Sequence, residues 1–204
     1  MLQYLALGDS YTIGEAVAEQ QSWPHQLVNK LREQAIDVAA PKLIATTGWT
    51  TGELLAAIEK ENPPSAYNLV SLLIGVNNQY RGYHLDLYRE DFTRLVQKAI
   101  FYARKKPEGV FVLSIPDYGV TPFAAEKQPQ QISREVEEYN TIAQGICQRL
   151  GVTYYNITEN SKRAALEPDL LADDKLHPSG KMYTEWVEQI YPNVVKQIRL
   201  LQKV

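Results

Sequence analysis

The sequence predicts an α/β protein built as a three-layer α/β/α sandwich around a five-stranded, mainly parallel sheet. Five short apolar runs alternate with longer segments in which apolar residues recur at helical spacing, which is typical of strands joined by helices in a parallel sheet. The run at residues 69–74 is nearly all apolar, as expected for a central strand covered on both faces. With 204 residues and no repeat, low-complexity tract or linker, residues 1–204 are predicted to form a single domain.

Each predicted strand is a short apolar run bounded by turn residues. In chain order, the strands are expected at residues 2–7, 42–45, 69–74, 110–115 and 152–155. The first run stops at Gly8, and the third is followed by Gly75 and a polar stretch. Both strands should therefore lead directly into turns, which places polar residues at their carboxyl ends.

The predicted helices are segments with apolar residues three and four positions apart. They begin at the Ser22 cap, after the threonines at residues 50–51, near residues 88 and 133, and after the polar loop at residues 173–179. Residues 11–21 show no clear period, and His25 is expected on a helix surface. Pro192 should break or kink the last helix because proline lacks the N–H that the helix needs.

A serine directly follows the first predicted strand, in the sequence Gly8-Asp9-Ser10. In open parallel sheets, chemistry gathers at the carboxyl ends of the strands, so the hydroxyl and backbone N–H of Ser10 are well placed to face a bound carbonyl group. Gly8 allows the backbone to turn without a Cβ clash, and Asp9 can accept hydrogen bonds from turn N–H groups. Taken alone, the tripeptide is also an ordinary turn sequence.

A candidate base for this serine lies near the carboxyl end of the chain, in Asp174-x-x-His177-Pro178. The spacing allows the Asp174 carboxylate to reach one imidazole nitrogen of His177 and leaves the other nitrogen free to face Ser10. A serine nucleophile needs such a base and an acid that fixes the base in one tautomer. Pro178 should keep the backbone extended at His177. The simpler alternative is a surface histidine that precedes a proline.

Two further strand ends carry candidate hydrogen-bond donors. Gly48 follows the second predicted strand, and Asn77 follows the third. An attacked ester carbonyl becomes an oxyanion, which needs donors that are already in place. The backbone N–H groups of Ser10 and Gly48 and the Asn77 side-chain amide could converge on it. Each residue also has a plain structural explanation, Gly48 as a turn glycine and Asn77 as a turn cap.

In chain order, these motifs resemble the sequence blocks of the SGNH hydrolases, also called GDSL esterases/lipases. The matching blocks are Gly8-Asp9-Ser10, Gly48, Gly75-x-Asn77 and Asp174-x-x-His177-Pro178. The resemblance spans nearly the whole chain and implies a flavodoxin-like three-layer fold and ester hydrolysis without a cofactor. It implies that Ser10 is the nucleophile, His177 the base and Asp174 its partner. It also implies that Ser10, Gly48 and Asn77 are the oxyanion donors.

The chain departs from the family pattern at two positions, which leaves the subfamily and the substrate open. Asn78 stands where the family often has Asp, and Thr46 stands where the glycine block often begins with Asn. We interpret the chain as a serine esterase that hydrolyses a carboxylic ester through an acyl-enzyme on Ser10. The absence of a long apolar lid favours a small or short-chain acyl group.

Other functions remain open at this stage. The same triad would serve an acyltransferase, a lysophospholipase or a thioesterase. A non-catalytic flavodoxin-like binding module is a different class of function, and the intact Ser10, Asp174 and His177 argue against it.

Two loops are predicted to shape the substrate pocket, at residues 79–84 after the third strand and residues 116–123 after the fourth. Their aromatic residues would form flat apolar walls, namely Tyr80, Tyr83, Tyr118 and Phe123. Arg81 would supply a positive charge that can bind an anion or a sugar hydroxyl. The competing interpretation is that the aromatic residues pack the loops onto the body and Arg81 pairs with a surface carboxylate.

The composition gives no sign of a macromolecular or membrane partner. The formal net charge is -3, with basic residues spread along the chain, so neither nucleic acid nor a membrane surface is expected. No run approaches the roughly 18 apolar residues of a membrane span. Cys147 is the only cysteine and should pack in a helix, and no clustered His/Cys set predicts a metal or other cofactor.

The amino-terminal residues enter a strand at once and show no signal peptide, which predicts a cytoplasmic protein, or an exported one if a leader is not included in the sequence. The sequence predicts a small-molecule ester as the partner and leaves the oligomeric state open.

Overall fold

The computed structural model describes residues 1–202, which are organised around one five-stranded sheet. The strands are β1 Tyr4–Gly8, β2 Lys42–Ala45, β3 Leu69–Leu73, β4 Val110–Leu113 and β5 Thr153–Tyr155. Their spatial order is β2-β1-β3-β4-β5, and each neighbouring pair is parallel. This is the flavodoxin-like order, so the predicted fold class is confirmed.

Eight α-helices lie between and after the strands in the described residues 1–202. They are α1 Ser10–Ile13, α2 Trp23–Glu33, α3 Thr51–Glu61, α4 Val76–Tyr80, α5 Leu85–Tyr102, α6 Pro129–Leu150, α7 Thr158–Lys162 and α8 Gly180–Leu201. Right-handed crossovers place α2 on one face of the sheet and α3, α5 and α6 on the other. The helix contacts agree, because α2 packs against α8, whereas α5 packs against both α3 and α6.

Most of the predicted elements are present with shifted ends. The first strand begins at Tyr4 because Leu2 forms only an isolated bridge with Val38. The helix that was expected to start near residue 88 begins at Leu85, since the His84 side chain accepts a hydrogen bond from the Asp86 backbone N–H and caps it. Sequence periodicity does not report such local capping bonds, and helix ends are therefore its weakest prediction.

Two short helices were not predicted, and one predicted break does not occur. Helices α1 and α4 have 4 and 5 residues, so neither is long enough to show a helical period. Helix α8 is continuous through Pro192, whose ring is exposed to solvent. Of the two outcomes predicted for Pro192, a break or a kink, the break is wrong.

The environments of two side chains test further predictions. Cys147 is fully buried in α6, which confirms its packing role, and burial raises the pKa of its thiol to about 12. His25 was predicted to lie on a helix surface, but it is buried. Its Nδ1 lies 2.9 Å from the Ser22 hydroxyl, and its Nε2 lies 3.1 Å from the Glu19 carboxylate. Polar partners near the start of α2 therefore compensate for its burial.

Gly8 is needed where β1 meets its neighbours. A Cβ at this position would lie 2.5 Å from the Leu73 carbonyl oxygen and 2.8 Å from the Thr12 Cβ. Atoms cannot approach this closely without displacing the backbone of β3 or the start of α1. The missing side chain therefore allows the end of β1 to pack directly against β3, and this packing positions Ser10.

Candidate active site

The strand ends that carry Ser10, Gly48 and Asn77 meet at one cavity of about 180 Å³. Ser10 follows β1 and Asn77 follows β3, which are adjacent strands. The boundary between these two strands is where ligands bind in flavodoxin-like folds, because the loops diverge there and leave a crevice. His177 reaches the same cavity from the loop before α8.

A continuous hydrogen-bonded chain links Asp174, His177 and Ser10. Nδ1 of His177 lies 2.6 Å from Oδ2 of Asp174, and Nε2 lies 3.0 Å from Oγ of Ser10. The backbone N–H groups of Leu176 and His177 also donate to Oδ1 of Asp174, at 3.0 and 2.9 Å. The Asp174 carboxylate therefore stabilises the turn at residues 174–177 and also orients the imidazole.

The surroundings of Asp174 keep this carboxylate ionised. Burial alone would raise its pKa, but hydrogen bonds from the ring and backbone of His177 and from the Leu176 N–H lower the pKa below its usual value. An ionised carboxylate only accepts hydrogen bonds, so Nδ1 of His177 must carry a proton. In the neutral ring, Nε2 is then unprotonated and can accept a hydrogen bond from the Ser10 hydroxyl.

Asp9 fixes the turn that presents Ser10. It caps α1, and its Oδ1 accepts a hydrogen bond of 3.1 Å from the Tyr11 backbone N–H. The residue is fully buried, and burial raises the pKa of its carboxyl from 3.8 to about 7, although the hydrogen bond from Tyr11 opposes the shift. Ser10 is the first residue of α1, so its own N–H has no acceptor within the helix and can face the cavity.

Gly48 lines the cavity from the loop between β2 and α3, and Asn77 lines it from the first turn of α4. Gly48 has φ +84°, a left-handed conformation that favours glycine. One N–H bond of the Asn77 amide donates to the Trp49 carbonyl oxygen at 2.9 Å. Because a primary amide has two N–H bonds, a second one remains for a ligand.

Asn78 connects the same two segments, a role that the sequence did not reveal. It is fully buried, its Oδ1 accepts from the Thr51 N–H at 2.9 Å, and its Nδ2 donates to the Thr51 hydroxyl at 2.7 Å. The Thr51 hydroxyl donates in turn to Asp91 at 3.1 Å. This departure from the family pattern therefore serves to join the start of α3 to α4. Thr46, the other departure, is exposed.

Aromatic residues form an outer wall of the cavity. The rings of Tyr80, Tyr118 and Phe123 line it, with centroids 6.2 to 6.3 Å apart. The Tyr118 hydroxyl donates to Oε1 of Gln79 at 2.8 Å, which fixes this ring. Tyr83 lies outside the cavity and lines a neighbouring hollow with Gln79.

Arg81 does not line the cavity, in contrast to the substrate contact expected from the sequence. Its guanidinium donates to the Gly48 carbonyl oxygen and to the Glu53 carboxylate, the latter at 3.3 Å. The alternative considered for Arg81, a pair with a surface carboxylate, matches these contacts.

Neither a metal centre nor a membrane-spanning helix is found in the described part of the chain. Among residues 1–202, no three His, Cys, Asp or Glu side chains are grouped so that they could bind a metal ion. No helix of these residues is both long and apolar enough to cross a bilayer.

Solved structures with similar folds include several esterases. The psychrotrophic esterase EstA from a Pseudoalteromonas species is 19% identical over 98% of this chain and 100% of its own, with a TM-score of 0.70. A lipase/acylhydrolase from Enterococcus faecalis is 20% identical over 95% of each chain, with a TM-score of 0.72. An acetylxylan esterase from Geobacillus stearothermophilus is 16% identical over 95% of this chain and 94% of its own, with a TM-score of 0.70.

At these low sequence identities, the solved structures show only that the fold is similar. A match to a family model, in contrast, is a similarity of sequence. No curated protein matches the chain significantly. Residues 6–184, however, match the model of the GDSL-like lipase/acylhydrolase family. Fold and match together define the class of the protein as a hydrolase of the lipase/acylhydrolase type. The chain belongs to the GDSL-like lipase/acylhydrolase family, which confirms the resemblance found in the sequence.

The raised pKa of Asp9 predicts a pH dependence of stability. A carboxyl whose folded pKa is raised contributes stability that is fully present below its unfolded pKa and is lost as the pH rises through its folded pKa, here about 7. Asp9→Asn keeps an oxygen for the Tyr11 N–H but does not titrate. Between about pH 5 and about pH 8, the wild type should lose about 3 kcal/mol of unfolding free energy relative to the variant.

Urea unfolding of both proteins across this pH range measures the difference. Because the two proteins share all other titrating groups, a constant gap between their unfolding free energies would show that Asp9 binds the same number of protons in the folded and unfolded states, and that its folded pKa is therefore not raised.

Proposed function

We propose that the protein is a serine esterase that hydrolyses a carboxylic ester with a small acyl group. The observation that carries the proposal is the hydrogen-bonded chain from Asp174 through His177 to Ser10, which ends at the cavity between Gly48 and Asn77. A hydroxyl that can pass its proton to an oriented base, beside donors for a developing negative charge, is suited to acyl transfer.

In the first half of the reaction, Oγ of Ser10 attacks the ester carbonyl carbon while Nε2 of His177 takes its proton. The carbonyl oxygen gains a negative charge, which the N–H groups of Ser10 and Gly48 and the Asn77 amide stabilise. The bond to the alcohol then breaks, and the alcohol leaves with the proton from His177. The acyl group remains bound to Ser10 as an ester.

In the second half, water replaces the alcohol. His177 takes one proton from water, and the resulting hydroxide attacks the acyl carbon. When the bond to Ser10 breaks, His177 returns the proton to Oγ and the carboxylic acid is released. Asp174 stays ionised throughout and stabilises the imidazolium form of His177, which is consistent with the lowered pKa of its carboxyl.

The size and lining of the cavity support a small acyl group. A cavity of about 180 Å³ that is lined mainly by apolar side chains suits a short acyl group. Tyr80 and Tyr118 form an apolar wall near the candidate nucleophile, and we propose that they contact the substrate. Several structural neighbours are esterases, and one of them is an acetylxylan esterase, which supports this substrate class.

Ser10→Ala should abolish ester hydrolysis without unfolding the protein. The variant lacks only the oxygen that would attack, so kcat for p-nitrophenyl acetate should fall on the order of 10⁴-fold or more. Steady-state kinetics measure the loss, and circular dichroism provides the folding control. A folded Ser10→Ala variant with near wild-type turnover would rule out Ser10 as the nucleophile.

Asn77→Ala should lower kcat more than it raises KM. The amide interacts more strongly with the oxygen once this atom is charged, so its removal should cost about 10²–10³-fold in kcat. Because Asn77 also donates to Trp49, thermal unfolding must be measured alongside the kinetics. An increase in KM at constant kcat would instead indicate that Asn77 binds the ground-state substrate.

A further inference from the structure

Arg81 joins the two segments that carry the proposed oxyanion donors. It caps the end of α4, the helix that presents Asn77, and its guanidinium donates to the Gly48 carbonyl oxygen. The same guanidinium lies 3.3 Å from the Glu53 carboxylate, which belongs to the first turn of α3. We call the contacts from Arg81 to Gly48 and Glu53 the Arg81 bridge.

Glu53 gives this bridge a fixed anchor. Its Oε2 accepts hydrogen bonds from the backbone N–H and the hydroxyl of Thr50, at 2.7 and 2.9 Å, in a capping box that starts α3. The backbone hydrogen bond from Thr50, together with its hydroxyl and Arg81, lowers the pKa of the Glu53 carboxyl against the opposing effect of burial. Glu53 is therefore a charged partner that is already oriented by α3.

The Arg81 bridge acts on the turn at residues 46–49, which one backbone hydrogen bond of 3.2 Å closes, from the Trp49 N–H to the Thr46 carbonyl oxygen. Gly48 has φ +84° and no side chain, so its neighbours must fix its conformation. Two consecutive carbonyl groups there accept hydrogen bonds from α4, that of Gly48 from Arg81 and that of Trp49 from Asn77. The direction of the Gly48 N–H and the position of the Asn77 amide are thus coupled.

We propose that Arg81 is a positioning residue that aligns the Gly48 N–H with the Asn77 amide for the transition state. This inference rests on the proposed function, because it concerns the oxyanion donors of that reaction. It also replaces the substrate contact that the sequence suggested for Arg81.

Catalysis and stability should respond very differently to the loss of the Arg81 bridge. The Arg81 and Glu53 side chains are 39% and 45% exposed, and exposed ion pairs contribute little to stability. A displacement of about 1 Å at a catalytic donor, in contrast, can cost about 10²-fold in rate. Removal of Arg81 should therefore slow catalysis in a protein that remains folded.

A positioning role and a substrate contact also predict different kinetics. A residue that aligns the donors affects every ester, because all of them form the same oxyanion. A residue that contacts the substrate affects only esters with a group that reaches it, and it changes their ranking. A small ester such as p-nitrophenyl acetate, which offers no charge or sugar hydroxyl to Arg81, separates the two roles.

The experiment compares Arg81→Ala, Arg81→Lys and the control Arg89→Ala with the wild type. Arg89 is an exposed arginine on α5 that does not line the cavity. For a panel that contains p-nitrophenyl acetate, longer acyl esters and acetylated sugars, Arg81→Ala should lower kcat about 10- to 100-fold on all esters, with little change in KM. Its thermal unfolding midpoint should stay close to that of the wild type.

Arg81→Lys should recover part of the lost kcat, because lysine can donate to the Gly48 carbonyl but cannot bridge both partners with a planar fork. Arg89→Ala should match the wild type. If Arg81→Ala proves less stable, the kinetics of a folded Arg81→Lys variant decide, with a reduced kcat on every ester supporting the proposal.

Wild-type kcat values for Arg81→Ala on every ester would overturn the positioning role, and so would a loss confined to the acetylated sugars. The parallel Ser10→Ala measurement separates the two proposals. If Ser10→Ala is inactive and Arg81→Ala is normal, only the positioning role fails. If Ser10→Ala remains active, the proposed function fails and the role of Arg81 fails with it.

Discussion

The pairing of β1 with two parallel neighbours determines where Ser10, Gly48 and Asn77 lie. Gly8, the last residue of β1, is in register with Ala45 of β2 on one side and Leu73 of β3 on the other. Parallel strands end at the same edge of a sheet, so the three segments that follow these strands must lie side by side. Because a Cβ on Gly8 would collide with the Leu73 carbonyl, the absence of a side chain there keeps the edge compact.

The remaining groups are added to this edge by hydrogen bonds between segments that are distant in sequence. His177 approaches Ser10 from a position 167 residues later, on a loop whose turn is closed by Asp174. Asn78 and Arg81 connect α4 to the loop and helix that follow β2. The apolar core fixes the strand ends, and these polar contacts determine the final positions of the proposed donors.

The sequence was sufficient to predict the fold class, because the alternation of apolar strands and amphipathic helices reflects the parallel sheet directly. The family was predicted from the resemblance of four short motifs in chain order. It did not reveal α1 or α4, which are too short to show a period, or the burial of His25, which depends on partners at Ser22 and Glu19. The contacts of Arg81 were also not predictable. The sequence does not show whether an exposed arginine beside a cavity contacts a ligand or a backbone carbonyl such as that of Gly48. Only the three-dimensional arrangement distinguishes the two.

The central claim is that Ser10 is a nucleophile activated by His177, and covalent labelling tests it most directly. A fluorophosphonate probe reacts with activated serine hydroxyls and forms a stable phosphonyl ester that mimics the tetrahedral intermediate. Our account predicts a single adduct in the intact mass spectrum, located on Ser10 by peptide mapping, and much slower labelling in a folded His177→Ala variant. An adduct on another residue, or a folded wild-type protein that does not react, would contradict the account.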